Sequence, residues 1–152
     1  MPTPNNVQQG GVFDPTRDVV IKGQIVSSGP ANGVGAGGIG YADGAGSSVT
    51  QQTNRTTGVT VNAVCGMITT NNASLAAEAA ASFVVKNSAV GVRDGVIVTQ
   101  AGGAVGVMTD VVVIAVADGQ FTIAVMNGNV AAGTAETGAI RINFQVIKGT
   151  IV

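Results

Sequence analysis

Toward its carboxyl end the chain alternates. Ile140, Ile142, Phe144 and Val146 are separated by Arg141, Asn143 and Gln145, the two-residue period of a strand with one buried and one solvated face. Phe121, Ile123 and Val125 alternate with Gln120, Thr122 and Ala124 in the same way. Asp118-Gly119 joins that run to Val111–Val116, which predicts a tight hairpin. Val111 to Val116 is apolar at every position, the pattern of a central strand covered on both faces. Upstream, Val19–Val26 (VVIKGQIV), Thr57–Val64 (TGVTVNAV), Cys65–Thr70 (CGMITT) and Ser82–Asn87 (SFVVKN) read as further strands. Asp94-Gly95, between two valine-rich runs, predicts a second hairpin. Residues 29–48 form a glycine-rich loop, and only Leu75 to Ala80 favours a turn or two of helix.

Composition supports the strand reading. The 152 residues include 23 glycines, which argue against long helices, and the apolar 45% is mostly alanine, valine and isoleucine. Tryptophan is absent, Tyr41 is the sole tyrosine, and four phenylalanines stand at 13, 83, 121 and 144. The expected fold is all-β: an antiparallel β-sandwich or barrel-like domain over residues 19–152, with an extended N-terminal arm over residues 1–18. A core of such small side chains stabilises modestly at about 25 cal/mol per Å² buried. Help from other subunits follows as an expectation, and a homotrimer is the expected form.

The arm is punctuated by Pro2, Pro4 and Pro15 and carries few apolar groups, Val7, Val12 and Phe13 among polar neighbours. Too little apolar surface is present to offset the entropy of ordering it alone. It is therefore expected to lie on a neighbouring subunit by strand addition, with Val7, Val12 and Phe13 as anchors. The terminal Ile151 and Val152 are candidate partner contacts because the hydrophobic end GTIV favours partner surface.

Charge narrows the partners. Seven basic and eight acidic residues give a net charge of −1 with no run of either sign, so neither a nucleic-acid stripe nor a polybasic membrane segment is present. The opening MPTPNNVQQGG has neither a basic region nor an apolar core, which predicts no secretory leader and synthesis in a host cytoplasm. The apolar run GGAVGVMTDVVVIAVADG is broken by Asp110 and glycines, so no membrane span is expected. Cys65 is the single cysteine and reads as a small apolar residue.

Candidate chemistry is sparse. With no histidine the commonest general base is missing. Glu78 and Glu136 stand alone in alanine- or threonine-rich connections, and Asp43, Asp94 and Asp118 each precede glycine, where aspartate forms turns. Gly33, Gly35 and Gly38 spell G-x-G-x-x-G, but GIGYADGAGSS follows, which cannot open the helix a dinucleotide site requires. No catalytic, cofactor or metal residues are assigned, and an enzyme is not expected.

One ordered set of short motifs remains: G-Y-A-x-G-A-G from Gly40, V-T-Q from Val49, R-T-T-G-V-T-x-N from Arg55, C-G-x-I-T from Cys65, S-F-x-V-x-N-S from Ser82 and V-I-K-G from Val146. Across residues 38 to 150 this series resembles a family of small structural proteins encoded by tailed phages and prophages. The resemblance implies a virion component without catalytic residues. The leading expectation is a cement, or decoration, protein that binds the major capsid protein on the outer capsid surface. The alternative is a trimeric tail or head fibre or spike component that binds a host receptor. Few aromatic residues and no shaft repeats favour the first.

Overall fold

The computed structural model describes Tyr41, residues 44–130 and residues 133–149. Eight strands fill this region: β1 (Gly46–Thr50), β2 (Val59–Thr60), β3 (Cys65–Thr69), β4 (Ala80–Lys86), β5 (Gly95–Gly102), β6 (Thr109–Ala117), β7 (Gln120–Asn127) and β8 (Arg141–Ile147). They form two four-stranded sheets, ordered β1-β3-β8-β5 and β2-β4-β7-β6. The sheets pack as a sandwich. Each is mixed: β1 runs parallel to β3 and β2 parallel to β4, while the remaining pairs are antiparallel.

The alternation of β8 is realised without exception. Ile140, Ile142, Phe144 and Val146 are buried, and Arg141, Asn143 and Gln145 are exposed. Phe121, Ile123 and Val125 of β7 meet them across the layers with Phe83 and Val85 of β4. Phe121 and Phe144 bring their ring centroids to 5.8 Å at a tilt of 43°, giving the small-residue core a central aromatic pair. The Asp118-Gly119 turn closes the β6–β7 hairpin as expected, with Gly119 at φ +72°.

Three local expectations are corrected. The apolar run of β6 is an edge strand rather than a doubly covered central one. A bulge between Val113 and Ala115 makes Ile114 an extra residue, so Val111, Val113 and Val116 all turn toward the core. Ile114 is left exposed. Asp94-Gly95 makes no hairpin: Asp94 closes a loop whose preceding strand, β4, lies in the other sheet. Its carboxylate accepts long-range bonds that local pattern does not reveal. Leu75 to Ala80 forms no helix. Leu75 makes an isolated bridge to Glu136, and Glu78 sits in the left-handed region at φ 59°.

Strand β1 begins at Gly46, inside the stretch 29–48 expected to be loop. Within Thr57–Val64 only Val59–Thr60 is strand, although Val59 and Val61 are both buried in this chain's own core. The strand expected at 19–26 and the arm with Val7, Val12 and Phe13 lie outside the described residues, as do Ile151 and Val152.

Candidate functional site

One end of the sandwich is built from the β5–β6 loop, the β7–β8 connection and the segments around Arg55 and Leu75. Irregular backbone meets there, and each such segment needs hydrogen-bond partners. Two buried ions supply them. The Glu136 carboxylate, fully buried, accepts from the amides of Val105 (3.0 Å), Gly106 (2.8 Å) and Gly138 (2.6 Å), and from the hydroxyl of Thr109. Burial alone raises a carboxylate's pKa; here the bonds from Thr109, Val105, Gly106 and Gly138 outweigh it and hold Glu136 at about 2.

Arg55 serves the carbonyls as Glu136 serves the amides. Its guanidinium donates to the main-chain oxygens of Ala73, Glu136 (3.2 Å) and Gly138 (2.9 Å) and to the Thr70 hydroxyl (3.3 Å). Burial pulls its pKa below the ordinary arginine value, and the negative charge of Glu136 acts against that shift. The two charges meet through the Glu136–Gly138 backbone, so each stabilises the other while both hold loops in place.

Close approach accompanies this wiring. A β-carbon on Gly138 would stand 2.0 Å from the Gly103 carbonyl oxygen, and one on Gly103 would stand 2.1 Å from that of Ala139. Nearby, the Asn127 amide donates to the carbonyls of Leu75 (3.1 Å), Ala76 (3.2 Å) and Thr134 (2.8 Å), tying the end of β7 to two loops.

The outer surface of this end reverses the usual distribution of polarity. Val107 is 92% exposed and Val130 80%, and Val105 and Met108 are exposed with them. Val105 and Val107 border a shallow hollow of about 280 Å³ shared with Gly106, Asn129, Thr134 and Ala135. Scattered exposed aliphatics need no explanation, but four gathered on two adjoining loops mark a surface suited to contact. This is the candidate site. It differs from the terminal residues expected to bind partners, and its signal in the sequence was GGAVGVMT, aliphatic residues placed in a glycine-rich turn.

At the opposite end, charge makes turns in the ordinary way. Asp94 accepts from the Lys148 ammonium and from the amides of Gly91 (2.8 Å) and Gly149 (2.9 Å), which hold its pKa at about 2, Lys148 contributing most. Asp118 accepts from the Val92 amide at 2.8 Å, and buried Asn87 donates to the Ala63 carbonyl at 2.7 Å.

No family model, curated protein or solved structure matches this chain. The short motifs have structural roles in the fold. Arg55 holds three carbonyls, and a β-carbon at Gly66 would meet the Ser47 oxygen at 1.9 Å. Asn62 accepts from the Ser88 amide at 3.0 Å, and Lys148-Gly149 meets Asp94. Arg55, Asn62, Gly66 and Lys148 are joints between distant segments of one sandwich.

Proposed function

We propose that this chain is a non-enzymatic structural protein of a tailed-phage virion, a cement protein that binds the outer capsid shell as a homotrimer. The observation carrying the proposal is the use made of the motif residues: Arg55, Gly66, Asn62 and Lys148, which donates to the Ala89 carbonyl, each join backbone segments. A resemblance carried by such joints is a resemblance of scaffold, and the implied role is that of a scaffold. The largely uncharged surface suits a neutral protein partner better than a nucleic acid. Attachment to the major capsid protein is assigned to the arm at 1–18 through Val7, Val12 and Phe13, with Ile151 and Val152 contributing to subunit contacts.

The fibre or spike reading draws its support from the exposed aliphatic end, since stacking along a fibre axis uses the ends of a domain. Copy number in purified virions separates the two. Hundreds of copies per particle support the cement reading; a few to a few dozen support the fibre. Sedimentation of the protein with undecorated capsids tests attachment directly. Saturation of the shell by a chain lacking residues 1–15 would remove the arm from the proposal.

A further inference from the structure

Between Gly95 and Thr109, and again between Gly119 and Ala135, there is no ionisable side chain. These two runs carry all four exposed aliphatics of the loop end: Val105, Val107, Met108 and Val130. We propose that this end is where copies of the chain meet one another. The inference rests on the structural-protein reading above and names the surface that makes its oligomer.

The choice of a second copy follows from charge. Contacts around a symmetry axis bring identical residues together, so any ion near the axis meets its own kind and repels it. A partner of different sequence imposes no such restriction. Here the exposed centre carries no ion, Glu136 being buried beneath it, and both signs stand around it. Arg141 lies on the outer face of β8, whereas Asp110 and Glu78 belong to the side of the β2-β4-β7-β6 sheet. A rim basic on one side and acidic on the other is complementary to itself. A bilayer fits less well, because interfacial anchoring recruits tryptophan, tyrosine, lysine or arginine, and the two loops contain none of these.

The surface is also presented in a fixed form. Glu136 grips the amides of Val105 and Gly106 from beneath, and the Gly128 amide bonds the Met108 carbonyl at 2.8 Å, joining the two loops. Little ordering remains for association to impose, which favours binding by small side chains.

Sedimentation of the full chain across a wide concentration range tests the inference. Val107→Asp places a like charge in every copy at the contact and is expected to weaken self-association about tenfold or more. Val92→Asp, on an exposed valine at the opposite end, is expected to leave it unchanged. In a Cys65→Ser background, Val107→Cys is expected to give a disulfide-linked dimer on oxidation and Val92→Cys to give none. A wild-type chain that stays monomeric overturns the proposal. So does a Val107→Asp chain that associates like wild type, or equal crosslinking at both positions. Loss of capsid or phosphatidylcholine-vesicle binding in Val107→Asp, with self-association unchanged, reassigns the end to that partner. Self-association through this end without any capsid binding upholds the inference and removes the cement reading.

Discussion

The two ends of the sandwich solve the same problem with opposite materials. At the β6–β7 turn end, Asp118 stays exposed, and Asp94 reaches Lys148, a side chain that is largely in water. At the loop end both Arg55 and Glu136 are buried, and the outside is aliphatic. At the turn end single carboxylates, Asp94 and Asp118, each reach one or two amides, whereas several long connections converging on one point need acceptors and donors in their midst. Charge withdrawn into the interior to meet that need leaves the surface free for apolar residues. The candidate contact surface lies directly over the loops held in this way.

Removing the buried acceptor should show the contrast most strongly. Glu136→Leu leaves three amides, a hydroxyl and the Arg55 charge without it, and is expected to destabilise by about 3–5 kcal/mol in chemical denaturation. Asp94→Leu at the other end, where Asp94 is also buried but its partner Lys148 is largely in water, should lose less. Equal losses would mean that the two ends are built alike.

Glycine substitutions sharpen the comparison at the next level. Gly138→Ala drives a β-carbon into the Gly103 carbonyl and should lose about 3 kcal/mol. Gly119→Ala meets open space and suffers only its left-handed backbone, about 1 kcal/mol. Thermal melts of the two variants give the order directly.

Acid should loosen both ends with the same sign. The ordinary values of 4.5 for Glu136 and 3.8 for Asp94 fall to about 2 in the folded chain. Their stabilisation is complete above the unfolded values and is lost as pH falls from about 5 toward 2, where the unfolded chain binds protons first. Urea midpoints between about pH 7 and pH 3 should decline for wild type and decline less for Glu136→Gln. An unchanged slope in that variant would contradict the bonding assigned to Glu136.

The smallest effect concerns Glu78, whose left-handed backbone glycine adopts without strain. Glu78→Gly should gain about 0.5–1 kcal/mol, measured by denaturation. A loss would indicate that the carboxylate is needed where it stands.

Much of the fold was legible wherever one face of a strand is buried and the other wet. Ile140 to Val146, the inward face at Phe121, Ile123 and Val125, and the Asp118-Gly119 turn read correctly, because alternation and turn chemistry are local; Ala124, expected on the solvated face, is buried as well. The run at Val111–Val116 misled because a bulge shifts its alternation, so that an edge strand looks apolar on both faces. Asp94 looked like a hairpin residue because its partners, Lys148 and Gly149, are more than fifty positions away. Glu136 passed as an isolated charge for the same reason, its neighbour Arg55 standing 81 residues away in sequence. What hid the candidate site was its composition: valines in a glycine-rich loop resemble core residues until the backbone places them outside.

The buried Glu136 carboxylate holds the loop that presents Val105, Val107 and Met108. Amide hydrogen exchange at Val105 and Gly106 tests it most directly. In wild type both amides should be protected despite lying in a loop, and Glu136→Gln should speed them about tenfold or more while leaving the Asn87 amide unchanged. Exchange at Val105 and Gly106 as fast as that of free amides, with Glu136 intact, would contradict the claim.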